Sequence, residues 1–340
     1  MTYHGSLFPF NPSPHPPMLK SLVLSLALVA VTLTARAEDV VRLGNMKFAH
    51  YGAVHYMKEI APKYNLKIDE KIFAKGIDII PAFMAGEVDI SASGMDGTIA
   101  GRAGGAPIYV VAGFSQGGSR ILARKDLPEI KTIQDFKGRK MAVARGGAQE
   151  LALLAELNKN GLTYSDQPGK DVQIVYMNYA DIAQAFMVKG VDGACQSEPQ
   201  STQLISKDLG TEVLKPYDTS MGKMPRSFAM SEKLYKENPE LAQRVLKCFV
   251  EATKYFMDNP TVARQYVCEK VFKGQLTPQE YDDAMSNAEF IYDLKPESVQ
   301  VTIDWMVKLG VGRMQNPPKA TDFVRLDMLT KAKADLGIKD

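Results

Sequence analysis

The spacing of apolar and polar positions cuts the chain into short segments of two periods. Residues 40–46 read as a buried strand, and the chain then breaks at Ala49-His50-Tyr51-Gly52. Helical spacing over 54–64 closes at Asn65, and alternation over 67–73 predicts a second strand. Asp78 stands where it caps a helix over 79–85, with Pro81 tolerated in the first turn and Gly86 at the end. Residues 88–92 and 108–111 supply a third and a fourth strand. The order then recurs as a strand over 140–144, a helix over 149–158, a strand over 172–176 and a helix over 181–188. Strands alternating with helices at this spacing predict βαβ units around a largely parallel sheet.

Part of the recurrence is literal. Ala82-Phe83-Met84 returns as Ala185-Phe186-Met187, and Val88-Asp89 as Val191-Asp192, both at an offset of 103 residues. Either two amphipathic segments coincide, or the chain holds two similar α/β lobes. On the second reading each lobe presents strand ends to a shared cleft, where open α/β sheets bind ligands. From Asn238 the pattern turns helical: Leu241, Val245, Phe249 and Phe256 share one face. Further helices are predicted over 260–271, 278–290, 298–309 and 321–333, with Trp305 on an apolar face.

Composition narrows the class. The 340 residues are 45% hydrophobic and 24% charged, which suits a globular protein and neither a disordered nor a multi-span membrane chain. Residues 1–37 hold no acid and two bases, Lys20 and Arg36; without them Lys+Arg and Asp+Glu balance at 39 each, which argues against a nucleic-acid partner. Lys20, the apolar run 22–33 and Ala35-Arg36-Ala37 form the charged region, core and cleavage site of a secretory signal. The run is shorter than the ~20 residues of a membrane-spanning helix. Residues 1–17, rich in proline, match neither signal nor fold, so Met18 is the expected start and the mature chain is expected to begin near Glu38, in the periplasm. Cys195, Cys248 and Cys268 allow at most one internal pair, Cys248 with Cys268, or pack as three buried thiols. Four histidines and three cysteines leave little material for a metal site, and no cofactor is expected.

Two catalytic motifs occur without their partners. Gly113-Phe114-Ser115-Gln116-Gly117 matches G-x-S-x-G, but more strand follows the serine where a hydrolase needs a helix, and His50 and His55 both precede it. Ser220 and Lys223 match S-x-x-K without the companion motifs. His50 and His55 are five residues apart, where a two-histidine metal pair on a helix needs four. A binder fits these features better than an enzyme.

The glycine turn Arg145-Gly146-Gly147-Ala148-Gln149 lies between a strand and a helix, so its free backbone N–H groups point from the positive helix end. Such a turn accepts a sulfonate, carboxylate, phosphate or nitro-type oxygen, and Arg145 is a candidate clamp. Either this is a ligand site or an ordinary turn beside a solvated arginine. Other strand ends offer His50 and Tyr51, Ser93 and Asp96, Ser115 and Gln116, and Gln196, Ser197 and Glu198. Together they supply the aromatic walls and few fixed polar groups of a cleft, with Asp96 and Glu198 suited to a ligand amine or a basic guard residue.

The chain resembles the periplasmic solute-binding proteins of ABC importers, in the nitrate/sulfonate/taurine-binding group related to the thiamine-pyrimidine-precursor binders. The resemblance rests on Ala85-Gly86-Glu87-Val88-Asp89-Ile90 leading to Ser93-Gly94, Gly105-Ala106-Pro107-Ile108, Ile121-Leu122-Ala123-Arg124, 133–140, Gly146-Gly147 and Ser197-Glu198-Pro199. It implies a periplasmic binding protein type 2-like α/β fold, two α/β lobes with a central ligand cleft and hinge, plus C-terminal helices. Lobe 1 would be discontinuous, 38–124 and 223–340, with lobe 2 at 125–222 inserted and 121–124 and 227–230 as crossing strands. It implies hinge closure on a small-molecule ligand, delivery to an ABC permease in the inner membrane, a monomer, and no chemistry. Ser197 stands where many relatives carry an aromatic residue, and the cysteine-rich motif of the related pyrimidine-synthesising enzymes is absent. The expected ligand is a small organic anion of alkyl sulfonate, taurine, nitrate or aromatic carboxylate type, with Arg145 or Arg226 as its basic clamp. The alternatives are a neutral heteroaromatic held by Tyr51 and Phe114, an exported serine hydrolase using Ser115, or a sensory binding protein.

Overall fold

The short strand segments spaced along the chain assemble into two sheets. The structure, a computed structural model, describes residues 37–215, 221 and 223–339. Residues 1–36 of the expected leader and Ser220 lie outside the described residues. The body is a compact unit over Glu38–Asp340.

The first stretch holds β1 (Asp39–Asn45), α1 (Gly52–Ile60), β2 (Leu66–Ile72), α2 (Ile79–Met84), β3 (Ile90–Gly94), α3 (Met95–Ala103) and β4 (Ile108–Gly117). The second holds β5 (Ser119–Arg124), β6 (Arg139–Val143), α4 (Ala148–Lys159), β7 (Tyr164–Ser165), β8 (Val172–Tyr176), α5 (Ile182–Met187), β9 (Gly193–Ser197), α6 (Gln200–Ser206) and β10 (Gly210–Leu214). The chain continues through β11 (Pro225–Ser231), α7 (Glu232–Glu237), α8 (Pro239–Asp258), α9 (Pro260–Tyr266), α10 (Pro278–Met285) and β12 (Ala288–Phe290). It ends with α11 (Pro296–Leu309), α12 (Ala320–Phe323) and α13 (Asp327–Asp335).

One sheet has the order β12-β4-β11-β3-β1-β2 and the other β10-β5-β9-β6-β8-β7. In the first, β2, β1 and β3 are parallel, and β11 runs antiparallel to both β3 and β4. In the second, β8, β6 and β9 are parallel, and β5 runs antiparallel to both β9 and β10. The two lobes thus repeat one strand plan. The sequence repeat marks equivalent places in it: Asp89 accepts the Arg42 backbone N–H at 2.9 Å, and Asp192 accepts that of Lys140 at 2.9 Å. Each aspartate also returns its own N–H to the same partner's carbonyl, at 2.9 and 2.8 Å. Each carboxylate therefore pins the entry of its parallel strand to the strand beside it.

The chain leaves the first sheet at Gly117 and enters the second at Ser119, so the crossing is Gly118. The stretches 121–124 and 227–230, expected as crossing strands, lie inside β5 and β11, one in each sheet. The return falls between Leu214 and Pro225.

Several local expectations are corrected. Asp78 precedes α2 but its side chain makes no capping hydrogen bond. The helix expected over 278–290 stops at Met285, and 288–290 pairs with β4 instead. The helix expected over 321–333 is two, α12 and α13, parted where Val324 bridges to Val110. The thiols of Cys195, Cys248 and Cys268 are free and buried. Trp305 packs half-buried against the core, with the Lys308 ammonium 4.5 Å from its ring centre. No helix among the described residues is long and apolar enough to cross a membrane.

Candidate functional site

The carboxyl ends of β1, β3, β6, β8 and β9 lead into a cavity between the two sheets. The first lobe contributes Phe48, Tyr51, Asp96 and Arg226 to it, and the second contributes Gly146, Gly147, Gln149, Tyr179 and Ser197. Its volume for the centre of a water molecule is about 10 Å³, room for about one water, so any larger ligand requires the lobes to part. A second hollow of about 520 Å³ adjoins it through Asp96, Gly97 and Gly146, between Tyr164 and Tyr176 on one side and Met306 and Leu309 on the other.

Arg226 sits on β11, 3% exposed. One of its terminal nitrogens, Nη2, donates to the Gly117 carbonyl at 2.9 Å and to Ser119 Oγ at 3.2 Å, so it ties the first lobe to the crossing. Its Nε has no hydrogen-bond partner among the described residues. A buried guanidinium with a free N–H is a ready partner for an anionic oxygen. Facing it, α4 begins at the glycine turn, and Gly147 has no side chain to cap that helix. Gly146 N–H is already taken by the Glu150 carboxylate at 2.7 Å. The first-turn N–H groups of Ala148 and Gln149 have no intrahelical partner, as at any helix start.

A polar chain fixes the opposite wall. Gln149 donates from Nε2 to Ser119 Oγ at 2.9 Å and accepts the Tyr179 hydroxyl at Oε1 at 2.7 Å. Gln196 donates to the Tyr179 carbonyl at 2.9 Å and accepts the Ser197 N–H at 3.1 Å. Tyr51 and Tyr179 are pushed up by burial and stay protonated.

Asp96, in the first turn of α3, is 2% exposed, and its Oδ1 has no hydrogen-bond partner among the described residues. Burial pushes its carboxyl up to about 6, against the pull of Arg226.

Of the residues expected from sequence, Tyr51, Asp96, Gly146, Gly147, Gln149 and Ser197 line the cavity. Gln196 stands behind Tyr179. His50 packs behind Phe48 and Tyr51, and burial holds it well below its ordinary value, hence neutral. The Ser93 hydroxyl is spent on Thr98 and Ser227, at 3.0 and 3.3 Å. Ser115 is fully buried behind the wall, and no base touches its Oγ among the described residues. Gln116 bonds Glu289 at 2.5 Å.

Arg145 lies in the outer hollow, half exposed, paired with Asp166 at 3.0 Å and stacked 3.8 Å from the Tyr176 ring centre. Glu198 is buried against Arg120 at 2.6 Å, in a cluster that also brings Glu212, Thr202 and Asp283 to that arginine. The sequence reading missed Phe48 and Tyr179. Tyr179 follows the carboxyl end of β8, and that position was the available signal.

The sequence profile of the family described as NMT1/THI5 like matches residues 63–263. A protein of Brucella abortus (strain 2308), whose name says no more than that it binds, is 25% identical over 91% of this chain and 98% of its own. An aliphatic sulfonates-binding protein of Escherichia coli (strain K12), so named provisionally, is 29% identical over 55% of this chain and 56% of its own. In three dimensions the chain is similar to the alkanesulfonate-binding protein SsuA from Xanthomonas axonopodis pv. citri bound to MOPS. The TM-score is 0.72 at 17% identity, over 84% of this chain and 98% of that one. It is equally similar to the nitrate-binding protein NrtA from Synechocystis PCC 6803, with a TM-score of 0.72 at 16% identity, over 87% and 89%. These likenesses establish the fold as that of the periplasmic binding proteins, with two α/β lobes and C-terminal helices.

Proposed function

The chain belongs to the NMT1/THI5-like family, and from that premise we propose that it is the substrate-binding component of an ABC importer. It captures a small organic anion of alkyl sulfonate, taurine, nitrate or aromatic carboxylate type by hinge closure and delivers it to the permease, acting as a monomer without chemistry of its own. The observation that carries this reading is Arg226, buried in the cleft with a free Nε and facing the start of α4 from the other lobe. Relatives named for sulfonate and nitrate binding support the same ligand class. The lobes we propose are those implied by the resemblance, 38–124 with 223–340 and 125–222, with the first crossing drawn at Gly118. Export to the periplasm rests on the signal-like stretch from Lys20 to Ala37.

A thermal-shift screen of the chain against sulfonates, nitrate, carboxylates and pyrimidines tests the ligand class. A ligand at about 100 times its Kd adds about 2.7 kcal/mol of stability. Stabilisation by anions supports the reading, and stabilisation by neutral heterocycles alone overturns the anion. Loss of uptake of that ligand on deleting the gene tests transport against a sensory role. The heteroaromatic reading has one observation in its favour, the rings of Phe48, Tyr51 and Tyr179 on the cavity wall. Phe114, its other expected wall, is fully buried beside Tyr51 and does not reach the cavity. The hydrolase reading draws no support from Ser115, which is buried away from the cavity.

A further inference from the structure

An anion held by Arg226 leaves one feature of the cavity unexplained. Asp96 lines the same small space, 2% exposed, and its Oδ1 has no hydrogen-bond partner among the described residues. Arg226 does not neutralise it by contact, since the guanidinium's bonds go to Gly117 and Ser119. A buried acceptor without a donor is costly, and a buried charge more so, unless a ligand completes it. Glu150 from α4 adds a second carboxylate nearby, already engaged with the Gly146 N–H. For a plain anion this wall is repulsive. It suits a molecule that carries a donor a few atoms from its acid group.

Asp96 also borders the outer hollow, together with Gly97 and Gly146, whereas Arg226 borders the inner cavity alone. The two charges thus stand apart within the site, the cation on the inner cavity and the carboxylate at its junction with the outer hollow.

We infer that the cleft is built for a zwitterion: a short aminosulfonate or amino carboxylic acid whose acid group is held by Arg226 and the start of α4, and whose ammonium is held by Asp96. This rests on the anion-receptor reading and adds a second point of recognition to it. Substituents on the ammonium side would extend into the outer hollow past Tyr164 and Tyr176.

The test is calorimetry with matched pairs on the full chain: taurine against ethanesulfonate, and β-alanine against propanoate. In at least one pair the amino compound should bind about tenfold or more tightly, the scale of one charge-assisted hydrogen bond. Asp96→Asn should reduce that ratio to about threefold or less while the plain anion binds as well as before or better. Arg226→Gln should weaken both members of the pair together. Equal affinities in both pairs, or a ratio that survives Asp96→Asn, overturns the zwitterion and leaves the anion receptor standing. Binding of none of the four overturns the zwitterion, and overturns the anion receptor as well when nitrate and an aromatic carboxylate such as benzoate also fail to bind. A purely structural Asp96 would lower the stability of Asp96→Asn without moving the ratio, and so also counts against the inference.

Discussion

A methyl group placed on Gly147 would overlap the hydroxyl oxygen of Tyr179. The glycine is therefore required by close approach across the cleft wall, where φ is an ordinary extended −124°. Gly147→Ala should weaken anion binding by about tenfold or more, because the turn or the tyrosine must move from the α4 start. Gly147→Asp should do worse through like-charge repulsion. In a Tyr179→Phe background the alanine should cost less. Unchanged affinity of Gly147→Ala by calorimetry would remove the turn from the site.

Arg226 and Arg145 should separate cleanly. Arg226→Gln removes a buried charge that faces the cavity and should cost about tenfold to a hundredfold in anion affinity. Arg145→Ala removes a half-exposed side chain already paired with Asp166 and should change affinity by less than about threefold. The reverse order would place the anion in the outer hollow.

The pH dependence follows from Asp96, whose carboxyl burial pushes up to about 6. The charged groups that share its surroundings are Arg226 on β11 in the cavity and Arg145, Glu150, Asp166 and Arg313 around the outer hollow, while His50 stays neutral and the hydroxyls of Tyr51 and Tyr179 stay protonated. Below about 6 the carboxyl is neutral, so affinity for ethanesulfonate should rise as pH falls through that value. Affinity for taurine should fall over the same range, because its ammonium loses a charged partner. Calorimetry at about pH 5 and about pH 8 checks both signs.

Arg120 clasps the lobes on the hinge side. It holds the fully buried Glu198 at 2.6 Å and reaches Asp283 of α10 at 2.8 Å, where Thr202 also donates at 2.7 Å. Arg120→Ala leaves Glu198 uncompensated in the interior and should cost about 3–5 kcal/mol in a denaturant titration. A change below about 1 kcal/mol would show that Glu198, whose carboxyl burial already pushes up to about 7, takes a proton instead of standing as a bare charge.

Gly118 has φ +78°, and a Cβ there would stand 2.6 Å from the His50 ring. Gly118→Ala combines backbone strain with a clash at the crossing. It should lower the melting temperature and the affinity together, whereas Gly118→Ala with His50→Ala should recover part of both.

The strand positions were legible from short β-type segments set between helical ones: 172–176 is β8 as read, and the strand expected over 88–92 is β3, two residues further on. The short C-terminal pieces were not. Residues 288–290 carry helical spacing, yet pairing with β4 overrides it, and no local signal marks that partner. The site divides the same way. Gly146, Gly147 and Gln149 stand out because a glycine turn before a helix is a local pattern. Arg226 shares a cavity with Asp96 only because β11 returns to lie against β3, a relationship that sequence spacing does not record. Arg145 drew attention by its neighbours in sequence, and its own side chain turns to Tyr176 instead.

The bond from Arg226 Nη2 to the Gly117 carbonyl gives the cleft an output as well as an input. The side chain proposed to meet a ligand's charge also holds the peptide at which the chain passes between sheets. If Arg226 holds the ligand as proposed, occupancy would reach the backbone as torque, with the guanidinium as the lever arm. A spectroscopic label at the solvent side of that peptide would read ligand arrival without touching the pocket. Substitutions there would retune the receptor's sensitivity while its selectivity stayed as it was.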